Sequence, residues 1–112
     1  VVEDQQILRG LLERILKRAG HWVTVAADGA AALQLLRERG GAFDLILTDL
    51  VMPKMSGDTL ARLARDIVPG VPVMFMSGYA DGRIDVGNAA VLRKPFQPEE
   101  LLEGIRRAVS EA

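Results

Sequence analysis

With 112 residues, 49% hydrophobic and 26% charged, the chain is expected to form one ordinary globular domain with its own core. It has no cysteine, which excludes disulfides, thiolate catalysis and cysteine-ligated zinc, and fits a reducing, cytoplasmic setting. A net charge of −1 leaves no basic footprint for nucleic acid, and no apolar run approaches the roughly 18 residues of a membrane span.

In chain order, Val1-Val2 reads as a strand that closes on the acids Glu3-Asp4. The chain starts partway into this strand without an initiator Met, so residues 1–112 are expected to be one domain excised from a longer chain, whose parent can still be membrane-anchored. Ile7, Leu8, Leu11, Leu12, Ile15 and Leu16 recur at helical spacing; Asp4 is placed to cap that helix and Ala19-Gly20 to end it. Trp22 to Ala26 reads as a strand with Trp22 packing at a sheet edge, Asp28-Gly29 as a turn, and Ala30 to Arg39 as a helix stopped by Gly40-Gly41. Asp44 to Asp49 is a strand, Asp58 to Asp66 a helix, and Val71 to Ser77 a second continuous apolar strand. A short strand, Val91 to Arg93, precedes a helix from Pro98 to about Val109. Its Glu99-Glu100 and Arg106-Arg107 suit the helix dipole. Strands alternating with helices predict a parallel sheet covered on both faces, and no repeat or linker divides it.

Four predicted strand ends carry Glu3-Asp4, Asp49, Ser77 and Lys94, at the edge where α/β sheets place their chemistry. Magnesium takes oxygen ligands and keeps several waters, so the three carboxylates and a backbone carbonyl, here that of Val51, suffice. Crowded carboxylates repel one another unless a cation neutralises them. Lys94 can pair with a carboxylate and then with a phosphoryl oxygen, to which Ser77 can donate. An aspartate so placed is a competent nucleophile toward phosphorus.

Val1-Val2-Glu3-Asp4, the stretch Leu47 to Gly57, Phe75 to Ala80 and Lys94-Pro95-Phe96 together resemble the receiver domain of two-component response regulators. The resemblance spans essentially the whole chain. It implies a flavodoxin-like three-layer sandwich with a five-stranded parallel sheet in the order 2-1-3-4-5. It makes Asp49 the phosphoacceptor for a kinase phosphohistidine, with self-dephosphorylation afterwards. Glu3, Asp4 and Asp49 then hold Mg²⁺, Ser77 is the switch hydroxyl, and Lys94 senses the phosphoryl group. A cis Lys94–Pro95 bond is implied too. Met76 to Ala80 and the Leu92 to Phe96 ending are most similar to receivers of hybrid histidine kinases. The implied partner is a histidine kinase or phosphotransfer domain, with no nucleic-acid or membrane contact by this domain; the downstream effector stays open.

Two positions depart from the family. Val91 stands where signalling receivers usually carry Tyr or Phe, so the ring-rotation switch coupled to Ser77 is missing. The stretch between the last two strands, rich in glycine, predicts a fourth helix that is short or absent, with a loop or single turn from Ala80 to Ala89 and exposed Asp81 and Asp85. Tyr79, two residues past Ser77, is a candidate modulator of access to the site. A phosphatase of the haloacid-dehalogenase type would need a second acid where Val51 stands. A pseudo-receiver acting only as a protein-interaction module is the remaining alternative, and it predicts lost site residues. His21, the only histidine, reads as structural or solvated.

Overall fold

The computed structural model describes residues 1–78 and 89–110. The expectations for Tyr79, for Asp81 and Asp85, and for a short or absent helix between Ala80 and Ala89 lie outside the described residues.

Helix α1 runs Gln6–Arg18 and buries Leu12 and Leu16. Its apolar arc is wider than the core can cover. At 100° per residue, Ile7 lies about 140° around the helix from Leu12, and it is 89% exposed, with Leu11 at 48%. The expected cap by Asp4 is not made: Gln5 is the N-cap residue and gives no side-chain bond. The Glu3 carboxylate instead accepts from the Gln5 N–H at 3.1 Å. At the other end Gly20 has φ 95°, and the N–H groups of Gly20 and His21 return to the carbonyls of Lys17 and Leu16. That pair of bonds is the Schellman arrangement, which requires the left-handed residue Gly20 supplies.

Helix α2, Gly29–Arg39, is capped by Asp28, whose Oδ1 accepts from the Ala31 N–H at 2.8 Å. A single 3-10 turn, Gly40–Ala42, follows. Strand β1 is Ile46–Asp49, α3 is Gly57–Ile67, β2 is Val73–Ser77, β3 is Ala90–Arg93 and α4 is Pro98–Ser110. The Glu100 carboxylate accepts from the Gln97 N–H at 3.0 Å, closing the start of α4.

Among the described residues three strands form a continuous parallel ladder in the order β1-β2-β3. The two other segments join through single parallel bridges, Val2 with Ala26 and Val2 with Thr48. The Val2 N–H donates to the Leu47 carbonyl at 2.7 Å and the Glu3 N–H to the Ala26 carbonyl at 3.1 Å. Lateral order is therefore the expected one, 22–26 beside Val2 beside β1, then β2 and β3. The segment ahead of Glu3 offers only two residues, too few for a ladder on either side. Trp22 does not pack at the edge as expected; it is fully exposed, ahead of Thr24 and Ala26, through which this segment bonds to Val1 and Glu3.

Every residue of β1 and β2 is buried, as strands covered on both faces should be. One face packs Leu33, Leu36, Leu60 and Phe75 with α2 and α3; the other packs Leu12, Leu16, Met74, Met76 and Leu101 with α1 and α4. Helices thus lie on both faces of a parallel sheet, the flavodoxin-like layering. At β3, the outer strand, only Leu92 is buried and Val91 is 42% exposed.

Candidate functional site

Parallel strands all present their carboxyl ends at one edge, and each candidate residue stands there. Asp49 ends β1, Ser77 ends β2, Lys94 follows β3, and Glu3-Asp4 follow Val2. Register keeps them level, since Asp49 pairs with Met76 and Ser77 with Arg93.

The Lys94 ammonium donates to Asp49 Oδ1 at 3.1 Å and to Glu3 Oε1 at 3.2 Å. Glu3 is wholly buried and Asp49 nearly so, while Asp4 opens to solvent. Glu3, Asp4 and Asp49 each offer a carboxylate oxygen within 4.8 Å of the other two. Three carboxylates against one ammonium leave two formal negative charges, which a divalent cation would balance. The donor set is all oxygen and has one open side at Asp4, so it fits a hard dication that keeps its waters.

Lys94 is held at the backbone as well. Its N–H donates to the Ser77 carbonyl at 2.8 Å, and the Lys94–Pro95 bond is cis, as the family resemblance implied. The Ser77 hydroxyl, buried, donates to the Gly78 carbonyl at 3.2 Å. The loop after Asp49 is pinned at its start by Leu50 N–H to Met76 O, and at its end by Gly57 N–H to Leu50 O at 2.7 Å. Within it, Met55 N–H reaches the Pro53 carbonyl around Lys54 at φ 71°, a strained three-residue turn. Val51, half-exposed at this edge, follows Asp49 by two residues.

Three further residues support this corner, and of them only Gly57 belongs to a stretch that carries the family resemblance. Gly57 lies so near β1 that a Cβ would sit 2.3 Å from the Asp49 carbonyl oxygen. The Gln5 N–H holds the second Glu3 oxygen. Arg9 reaches back from α1 to the Glu3 carbonyl at 2.9 Å.

Burial pushes the Glu3 carboxyl above its ordinary value of 4.5; the Gln5 N–H opposes this, Asp4 and Asp49 add to it, and Lys94 opposes it. Burial alone would lower the Lys94 ammonium, but the Asp49 hydrogen bond and charge, with Glu3, carry it above 10.5. The signs follow. Stability from Lys94 is complete below pH 10.5 and is lost as pH rises through its folded value. Glu3 binds its proton more tightly folded than unfolded, so its burial costs stability as pH climbs from 4.5 through its folded value. Lys94→Met should therefore lose about 2 kcal/mol at neutral pH, less than for a fully buried pair because Lys94 is partly solvated. It should also lose the alkaline slope of the wild type and recover stability towards pH 4.5. Urea melts across pH check all three; an unchanged alkaline slope contradicts the pairing.

Comparison with known proteins agrees with the geometry. Residues 1–106 match the family model described as the response regulator receiver domain. The response regulator receiver protein CpdR of Brucella abortus (strain 2308) is 38% identical, over 96% of this chain and 92% of its own length. The sensor kinase CckA of the same organism is 35% identical over 95% of this chain, which spans only 12% of that relative. Among solved structures, a receiver domain protein from Clostridium thermocellum superposes with TM-score 0.91 at 25% identity, covering 98% of this chain and 91% of that one. The receiver domain of the hybrid histidine kinase CckA superposes at 0.85 with 32% identity, covering 96% and 93%. A parallel sheet layered by helices, an acidic corner gripped by one lysine, and these likenesses together place the chain in the response regulator receiver domain family, the phosphoryl-accepting modules of two-component signalling.

Proposed function

We propose that Asp49 is the phosphoacceptor, and that it takes its phosphoryl group from a phosphohistidine on a histidine kinase or phosphotransfer domain. A carboxylate oxygen of Asp49 forms the bond to phosphorus as the phosphorus–nitrogen bond to the imidazole breaks, and the imidazole leaves with a proton. Water later attacks phosphorus, the Asp49–phosphorus bond breaks, and inorganic phosphate departs. Glu3, Asp4, Asp49 and the Val51 carbonyl would hold Mg²⁺, which when bound neutralises charge developing on the phosphoryl oxygens. Lys94 holds Asp49 in place beforehand and can exchange that contact for a phosphoryl oxygen, while Ser77 can turn its hydroxyl from Gly78 to another. Positioning and charge balance make up most of what phosphoryl transfer asks of a protein.

The observation that carries this reading is the shared ammonium: Lys94 touches both Glu3 and Asp49 while Asp4 lies within coordination reach of each. Acetyl phosphate with Mg²⁺ should label the chain on Asp49, and EDTA should abolish labelling. Beryllofluoride should bind only with Mg²⁺. No labelling of an intact, folded chain would move the reading to a pseudo-receiver.

The donor would approach over the exposed apolar side of α1, where Ile7 and Leu11 stand beside the acidic corner. Such a patch suits a partner protein better than solvent. With Val91 in place of an aromatic ring, output would proceed without ring rotation. For the parent chain, the likeness to CckA suits a receiver carried on a hybrid kinase, and the likeness to CpdR suits a response regulator. Either reading places the domain in the cytoplasm, and no described helix is long and apolar enough to cross a membrane.

A further inference from the structure

We infer that Arg9 is a positioning residue for the cation site, acting through the backbone of Glu3 rather than through its charge; this rests on the reading of Glu3, Asp4 and Asp49 as cation ligands. The corner Glu3-Asp4-Gln5 links the sheet to α1, and its fixings are few. On the sheet side the Glu3 N–H donates to the Ala26 carbonyl at 3.1 Å. On the helix side α1 has no side-chain cap. The corner is held further by Lys94 on Glu3 Oε1, by the Gln5 N–H on Glu3 Oε2 and by the Arg9 guanidinium, whose Nη1 donates to the Glu3 carbonyl at 2.9 Å.

That carbonyl belongs to the peptide plane joining Glu3 to Asp4. Holding its oxygen orients that plane and so places the Asp4 Cα, leaving only the Asp4 φ and side-chain torsions to set where its carboxylate lies. Asp4 needs such help more than the other two acids. Glu3 and Asp49 are buried and share Lys94, whereas the Asp4 side chain is exposed, and its reach towards them depends on the corner. Arg9 is itself half-buried, and its own N–H donates to the Gln5 carbonyl at 2.9 Å, so the clamp and the corner are joined at two points.

Charge and position make opposite predictions here. A guanidinium near three carboxylates repels an incoming dication, so on charge alone its removal should tighten binding. A clamp that orients a ligand works the other way, and losing such an outer contact costs roughly 10- to 100-fold in metal affinity. The sign of the change decides between them.

Mg²⁺ binding to the whole chain is measured by calorimetry for the wild type, Arg9→Met and Arg9→Lys. Arg9→Met is expected to bind Mg²⁺ about 10-fold more weakly. The Mg²⁺ concentration for half-maximal labelling by acetyl phosphate should rise in parallel, with an unchanged rate at saturating Mg²⁺. Arg9→Lys keeps the charge but not the planar donor, so it too should bind more weakly. Without Mg²⁺, amide exchange at Glu3 and Gln5, whose N–H groups are bonded at this corner, should quicken in both variants while Thr48 and Phe75 stay protected, which separates a loosened corner from an unfolded chain. Equal or tighter Mg²⁺ binding by Arg9→Met, or equal binding by Arg9→Lys, overturns the inference while leaving the assigned ligands standing. A wild type that binds no Mg²⁺ overturns both.

Discussion

Asp49→Asn is expected to abolish labelling by acetyl phosphate, a loss of about 10⁴-fold or more, the scale seen when a nucleophile is deleted. The amide oxygen of Asn is too weak a nucleophile to take up the phosphoryl group. The substitution keeps the shape of a buried side chain that ends β1, so the fold should survive. It also removes one of two neighbouring carboxylates that share Lys94, which relieves repulsion on the buried Glu3. The melting temperature should accordingly stay at or above that of the wild type. Mass spectrometry of the labelled chain and a thermal melt check both halves. A labelled Asp49→Asn chain would mean that some other residue accepts the phosphoryl group.

Gly57→Ala is expected to be the most damaging change outside the charged residues. A Cβ there would lie 2.3 Å from the Asp49 carbonyl oxygen and 2.9 Å from the Leu50 Cα. Both neighbours are backbone in a buried strand end, so neither can turn aside. Relief requires moving α3 from β1, which breaks the Gly57 N–H bond to the Leu50 carbonyl and shifts Asp49 itself. The cost should be about 3 kcal/mol, at the upper end for overpacking. A displacement of about 1 Å at a reacting group is enough for a roughly 100-fold loss of labelling. Gly10→Ala is the control: nothing lies within 4 Å of its Cβ, in the interior of α1. It should stabilise the chain by about 0.8 kcal/mol, the ordinary helix preference for alanine over glycine. Urea melts of the two variants should move in opposite directions; a stable Gly57→Ala chain would show that α3 can withdraw without cost.

The placement of the candidate residues was legible because they stand at strand ends. A continuous apolar run marks a buried strand, and the polar residues at its end fall at the carboxyl edge: Glu3 and Ser77 directly after their runs, Asp49 after Thr48 and Lys94 after Arg93. The helices were legible from their periodicity and their glycine stops, Gly20 and Gly40 among them. Pairing was less so. The apolar character of Trp22 to Ala26 reports a burial tendency but not how many neighbours the segment has, and only Ala26 meets Val2. The cap at α1 turned on a shift of a single residue, which moved the role from Asp4 to Gln5 and put the Glu3 carboxylate on the Gln5 N–H. Arg9 resembles any charged residue on a solvated helix face until α1 is docked. The close approach of Gly57 depends on the distance between α3 and β1, which no local pattern encodes.

Trp22 is the only tryptophan, and its indole is bathed in water. It precedes Ala26, the residue beside the acidic corner, by four positions, about 13 Å along an extended chain. Intrinsic fluorescence will therefore report the emission of an indole already in solvent. It will stay nearly silent when a cation or beryllofluoride arrives, and will shift little on unfolding. An optical readout of occupancy has to be introduced, with a chromophore grafted near Val51 or Ile7.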